Sequence, residues 1–242
     1  MTYDGDLAVL QGGAVVLGLS LTGGQLEAFS RYRDLLRQWN ERINLTAITD
    51  PAEIVTHHFL DSLSCLLAVP LEQRGAATVI DVGSGGGFPG LPLAIALPGW
   101  QVTLLEATGK KVRFLEAAIQ ALQLGNVSVL QGRAEEVAHL PAYRGRYDIA
   151  TARAVAALPT LLEYCAPFVR PRGLLLLPKK GDLTEELVAG RRAAALLSTS
   201  IVDSVPVPFF ADGRVIILGR QKRPCPEPYP RAAGAPIKHP LH

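Results

Sequence analysis

The chain has 242 residues, 48% of them hydrophobic, and its 24 Lys and Arg against 22 Asp and Glu give a formal net charge of +2. That length suits one substantial core with an appendage rather than two full domains, and so even a balance excludes global charge as the source of any nucleic-acid affinity. Cys65, Cys165 and Cys225 lack CxxC spacing and no apolar run approaches the roughly 18 residues of a membrane span, so disulfide frameworks, zinc sites and membrane helices are not expected.

The N-terminal MTYDGDLAVLQGG carries acids where a signal peptide needs bases, and a soluble, reduced, cytoplasmic protein is expected. Thr22 and Gln25 form a capping box, after which Leu26, Phe29, Tyr32, Leu36, Trp39 and Ile43 recur at helical spacing, with Arg31, Arg33, Asp34, Arg37 and Glu41 mostly on the other face. Asp50-Pro51 suits the N-cap and first position of a second helix through His57, His58 and Asp61 to about Leu67. Residues 70–77 read as a linker, which makes 1–75 a helical extension. From Thr78 strands and helices alternate: strands at 78–82, 101–106, 127–131, 147–150 and 174–177, helices at 89–97, 110–122, 158–169 and 183–197. This pattern predicts an α/β fold with a mostly parallel, doubly wound sheet. Strands at 200–207 and 214–220 are joined only around Asp212-Gly213, so the sheet should end in an antiparallel hairpin. The α/β core thus spans 76–222. Residues 223–242 form a Pro-rich, basic tail read as extended.

Asp81-Val-Gly-Ser-Gly-Gly-Gly-Phe-Pro-Gly90 follows the first strand. Ligands of open α/β sheets bind beyond the strands' carboxyl ends, so this loop is the start of a nucleotide-cofactor site. Two frames overlap in it. Gly85-x-Gly87-x-x-Gly90 matches the dinucleotide fingerprint, and Asp81-x-Gly83-x-Gly85-x-Gly87 matches the loop of S-adenosylmethionine (SAM) methyltransferases. The second begins at the strand end, where a tight turn is needed, and its Asp81 suits a methionyl ammonium better than a pyrophosphate. With the terminal hairpin it favours SAM over NAD. Glu106, ending the second strand, is placed to accept both ribose hydroxyls; the alternative is a solvated pair with Lys110.

Trp39-Asn40 with Asn44-Leu45-Thr46, His58-Phe-Leu-Asp61-Ser62, the loop from Asp81 to Leu93, Gly132-Arg133-Ala134-Glu135, Ala152-Arg153-Ala154-Val155, Lys180-Gly181 and Tyr229-Pro230-Arg231 with Gly234 and Pro236 together resemble the glucose-inhibited division protein B (RsmG) family. The resemblance spans about Trp39 to Leu241 and implies a Rossmann-like class I SAM-dependent methyltransferase acting on guanine N7 of 16S ribosomal RNA, with the rRNA or the small ribosomal subunit as partner. Residues 1–21 carry no part of it. The cofactor pocket is expected from Asp81, Gly83, Gly85, Gly87, Phe88, Glu106, Ala107, Thr108, Ala134, Glu135 and Arg153. Arg153, Arg133 and Lys180 are expected to position substrate, with Lys179 an alternative to Lys180. No metal is expected, and the working unit is expected to be a monomer. Another RNA substrate, or a nucleotide-binding regulator without catalysis, stays open.

The residues bear on the chemistry independently. Exocyclic-amine methylation usually uses an Asp/Asn-Pro-Pro-aromatic loop after the fourth strand, and here the run is Asp148-Ile-Ala-Thr-Ala-Arg153. Cysteine-based carbon methylation fits neither Cys165, in an apolar helix, nor Cys225, in the tail. These absences permit guanine N7, the acceptor that the resemblance implies: it already presents a lone pair, so no general base is needed and catalysis reduces to positioning. His58 and Asp61 share a helical face as a structural or substrate-contacting pair. Asn40 and Asn44 shape the pocket or end the helix, and Trp39, Phe29 and Tyr32 read as core. Arg231, Lys222 and Arg223 are expected to meet RNA phosphates.

Overall fold

The computed structural model describes residues 5–242; residues 1–4 of the extension lie outside the described residues. Strands β1 (Ala77–Val82), β2 (Trp100–Glu106), β3 (Val127–Gln131), β4 (Tyr147–Thr151) and β5 (Val169–Lys179) run parallel, while β6 (Thr199–Pro206) and β7 (Val215–Gln221) form the antiparallel end of the sheet. Their order is β3-β2-β1-β4-β5-β7-β6. The chain builds outward from β1 to β3, then returns to lay β4 on the other side of β1. A topological switch of this kind opens a crevice beyond the two strand ends, and the glycine loop and Arg153 leave the sheet there.

Two apolar layers cover the faces. Helices α1 (Gly5–Val16), α2 (Gly23–Asn40), α5 (Gly90–Ala96) and α6 (Gly109–Leu122) share one buried cluster with Val79, Leu104 and Leu174. Helices α7 (Ala134–Val137), α8 (Leu158–Cys165) and α9 (Thr184–Leu196) share the other with Ile80, Leu175 and Ile217. The N-terminal extension is therefore part of the main core. Its capping box forms as expected, with Thr22 N–H donating to Gln25 Oε1 (2.8 Å).

The segment after Asp50 is less regular than its sequence implies. Asp50 caps α3 (Pro51–Ile54), which passes through a π-helical turn at Val55–Leu60, α4 (Asp61–Leu63) and a 3₁₀ turn at Ser64–Ala68. Helix α1 was not anticipated. Its Gly13 packs so closely on Leu60 that a Cβ would lie 2.5 Å from Leu60 Cδ2. The expected linker contains a 3₁₀ turn at Leu71–Gln73, and Arg74 donates to the carbonyls of Leu17 and Leu66 (3.0 and 2.5 Å), tying it to the extension. Pro167 helps end α8 early, in a 3₁₀ turn at Ala166–Phe168, since it lacks the N–H an α-helix needs. The fifth strand consequently starts at Val169.

The tail is not an extended arm. It folds back over α8, makes the short helix α10 (Ala235–Lys238) and buries Cys225 and Leu241. Arg144 donates to the carbonyls of Cys225, Pro226 and Tyr229 (3.0, 2.9 and 2.8 Å), and His139 bonds the Pro230 carbonyl (2.8 Å). Arg231 is a correction: its guanidinium grips the fully buried Glu163 carboxylate at 2.7 and 2.9 Å and does not stand out toward RNA.

Candidate active site

Gly83, Gly85 and Gly87 all have positive φ, so the loop coils tightly at the end of β1, and these are the glycines of the SAM-type frame. Asp81 braces it from beneath: Oδ2 accepts the Gly90 amide at 3.0 Å. The approach is so close that a Cβ on Gly90 would meet Leu104 Cδ2 at 2.4 Å and Asp81 Oδ2 at 2.8 Å. Burial raises the Asp81 carboxyl to about 7, partly offset by the Gly90 hydrogen bond. Its Oδ1 has no partner among the described residues. Tyr32, from α2, donates to the Gly86 carbonyl, so the extension also holds the loop.

Glu106 reaches across the crevice and accepts the amides of Gly85 (3.0 Å) and Thr108 (2.7 Å), linking the ends of β1 and β2. The Glu106–Lys110 alternative is absent among the described ion pairs. A buried carboxylate at this strand end and an unpartnered Asp81 oxygen fit a bound adenosyl-amino acid, with Ala107 and Thr108 exposed just beyond. Ala134 and Glu135 are buried after β3. Glu135 Oε1 is taken by Gly234 N–H (3.0 Å) and Tyr164 O–H (3.3 Å), which joins this edge of the crevice to the tail.

Arg153 lies beyond β4 in a dense polar cluster. Its Nη1 donates to Asp61 Oδ2 (2.7 Å) and the His57 carbonyl (3.2 Å), and its Nη2 donates to His58 Nδ1 (3.1 Å). The guanidinium carbon stands 4.8 Å from the Phe88 ring centroid, and the His58 ring stacks on the same phenyl at 4.4 Å. Burial and the Arg153 cation lower His58 to about 3. The ring is therefore neutral; Nδ1 lies 3.1 Å from both Arg153 Nη2 and the His57 carbonyl, and Nε2 lies 2.7 Å from Thr46 Oγ1. Asn40 orders that turn by accepting the amides of Leu45 and Thr46 (2.8 and 3.0 Å). His58 and Asp61 thus meet on Arg153 instead of bonding each other.

Arg214 is a site residue that the motifs did not single out. Its Nη1 donates to Asp61 Oδ1 (2.9 Å), its Nε to Asp212 Oδ2 (2.9 Å), and its guanidinium lies 3.9 Å from the Phe210 ring. Burial opposes its charge, but the bonds it donates to Asp212 and Asp61 outweigh this and raise its pKa. The excess of Lys and Arg over acids from Arg214 onward was its only signal in the sequence. A cavity of about 330 Å³ lies over Arg153, Arg214, His57, Lys179 and Lys180. Lys179 is committed to Glu186 (2.5 Å), while Lys180 is exposed at the rim. Arg133 lies apart, exposed at the start of α7, and does not line that cavity.

The model of the family GidB, rRNA small subunit methyltransferase G, matches residues 25–213. The chain belongs to the GidB family. A ribosomal RNA small subunit methyltransferase G of Alkaliphilus oremlandii is 41% identical over 96% of this chain and 98% of the relative. One from Roseiflexus sp. is 45% identical over 93% and 95%. Among solved structures, the branched-chain polyamine synthase of Thermus thermophilus covers 80% of this chain and 64% of its own at a TM-score of 0.56 and 15% identity, a likeness of fold. The family's Rossmann-like architecture accounts for the placement of the glycine loop and Arg153 at one strand-end crevice. Among the described residues, no helix is long and apolar enough to cross a membrane, and no three His, Cys, Asp or Glu gather as a metal would require.

Proposed function

We propose that this GidB-family chain transfers a methyl group from SAM to N7 of a guanine in 16S rRNA, as a cytoplasmic monomer acting on the small ribosomal subunit. Its own helices already cover both faces of the sheet, which supports a single-chain working unit. When bound, SAM supplies an electrophilic sulfonium methyl. The protein's share is to hold and orient. Glu106 accepts ribose hydroxyls, Asp81 and the loop amides hold the methionyl end, and Ala134 borders the adenine. Lys180 at the cavity rim and Arg133 beyond β3 contact phosphate or base edges. Arg153, immobilised by Asp61, His57 and His58, presents a fixed positive face at the cavity.

The observation that carries the reading is the company Arg153 keeps. In the cavity the Arg153 cation is fixed and the neutral His58 is already committed to it, and among the described residues Asp61 and Glu186 are both paired with cations. A purine N7 needs no proton removed, so such a site suffices by positioning. Incubation with methyl-labelled SAM and small subunits lacking the modification should label the RNA, and Arg153→Ala should abolish most labelling in protein that circular dichroism shows to be folded. SAM binding without label in subunits or naked rRNA contradicts the proposal.

A further inference from the structure

At the end of the sheet remote from the crevice, the α9–β6 turn and the exit of β7 enclose a cavity of about 340 Å³. Register fixes its place. Thr199 pairs with Gln221 at this end of β6 and β7, whereas Pro206 pairs with Val215, beside Arg214, at the other. The seven residues Val215–Gln221 therefore separate it from the Arg214 cluster by about 20 Å of strand.

The lining is selective. Arg191 comes from α9, Lys222 and Arg223 follow β7, and Ser198 and Ser200 add hydroxyls. All three cations are exposed, and none makes a side-chain hydrogen bond or ion pair with another described residue. Among the described residues, no carboxylate lines the cavity. The turn is built rather than incidental: Ser198 adopts a left-handed φ of 58°, and its carbonyl accepts the Lys222 amide at 2.8 Å, holding Lys222 against the turn. Behind it Thr199 Oγ1 donates to the buried Gln221 (2.5 Å), whose amide group donates to the carbonyls of Leu197 and Arg223 (2.9 and 2.8 Å). Three unpaired cations around hydroxyls on a braced turn make an oxyanion site, and the methyl-transfer chemistry uses none of these residues.

We propose that this pocket binds backbone phosphates of the RNA substrate, as an anchor separate from the methyl-transfer site. β6 is the sheet's edge strand and runs from this pocket toward the Arg214 end, giving an RNA a continuous path between the two. Its only acid, Asp203, turns its carboxylate onto the Ser204 amide (2.7 Å). The inference rests on an RNA substrate and not on which atom is methylated.

The test is the triple variant Arg191→Gln/Lys222→Gln/Arg223→Gln, whose exposed positions and retained stems spare the core. Binding of a 16S rRNA fragment is measured without SAM from low to high salt, with inorganic phosphate as a second probe. Each phosphate contact contributes about 0.7 to 0.9 to the slope of log affinity against log salt, so losing three contacts should flatten it by about 2 to 3. In methyl transfer, KM for the small subunit should rise about tenfold or more while kcat and SAM affinity hold. An unchanged slope and KM overturn the proposal, and so does loss of inorganic phosphate binding with RNA binding unchanged, which assigns the pocket to a free anion. Because the slope is read without SAM, it decides the pocket even if the chain methylates no RNA. Normal methylation with an unchanged slope refutes the anchor alone.

Discussion

Asp61 bridges two arginines, with Oδ2 2.7 Å from Arg153 Nη1 and Oδ1 2.9 Å from Arg214 Nη1. One carboxylate on α4 therefore joins the exit of β4 to the β6–β7 hairpin. Removing one member of a buried ionic cluster leaves uncompensated charge, at a typical cost of 3–5 kcal/mol. Asp61→Asn keeps the shape and should destabilise the fold by about 3 kcal/mol in denaturant unfolding. Methyl transfer should fall about a hundredfold through misplacement of Arg153, with SAM affinity little changed. Full activity in this variant means that Arg153 does not depend on Asp61 for its position.

Opposite titrations share this crevice. His58, lowered to about 3 in the fold, takes a proton in the unfolded chain below pH 6.5, so its contribution makes stability fall as pH drops from 6.5 toward 3. Asp81, raised to about 7, keeps its proton in the fold where the unfolded chain has lost it, so its contribution makes stability fall as pH rises from about 4 to 7. Between pH 4 and 6.5 the two slopes oppose, each at most about 1.4 kcal/mol per pH unit. Relative to wild type, His58→Gln should therefore tilt the stability profile downward with rising pH, and Asp81→Asn upward. Parallel profiles for all three proteins rule this out.

Arg231 clamps the tail onto Glu163, which is fully buried. Among the described residues, Arg231→Ala leaves that carboxylate with only the backbone amide of residue 231, and a loss of about 3 kcal/mol is expected. Adding Glu163→Gln should recover part of it in a double-mutant cycle. Since Gly234 binds Glu135, loosening the tail should also weaken SAM binding severalfold. Strict additivity of the two substitutions argues that the pair is not coupled.

Two glycines of one loop should respond differently to alanine. At Gly90 the new Cβ collides with Leu104 and Asp81, and overpacking of this kind costs about 1–3 kcal/mol while pushing the loop from its carboxylate. At Gly85 there is room, and only the left-handed φ of 58° is penalised, by about 1–2 kcal/mol. Calorimetric titration with S-adenosylhomocysteine should show Gly90→Ala losing more affinity than Gly85→Ala; the reverse order would place the loop's essential contact at Gly85.

Local chemistry made much of this fold legible in the sequence. Thr22 with Gln25 and Asp50 with Pro51 declare helix starts, β-branched and leucine runs declare strands, and the short Asp212-Gly213 connection declares the hairpin. What escaped depends on distant partners. Arg33 lies on the polar stripe of α2 yet is buried, with Asp6 of α1 at 3.3 Å. Gly13 looks like a helix breaker until Leu60 is seen against it. Glu163 gives no sign within α8 that a tail arginine will cover it, so a proline-rich segment read as extended proves docked. In the site, the glycine loop, Glu106 and Arg153 could be read locally. Arg214 and Phe210 could not, because the hairpin carries them to Asp61 and His57 from more than 150 residues along the chain.

On the proposed function, this crevice places guanine N7 against the methyl donor. The most direct measurement is mass-spectrometric mapping of methylated nucleosides in small-subunit RNA after reaction with labelled SAM, comparing wild type with Arg153→Ala. Wild type should leave 7-methylguanosine at one position of 16S rRNA, and the variant should nearly abolish it. Label on another atom or another base, or equal 7-methylguanosine from both proteins, would contradict it.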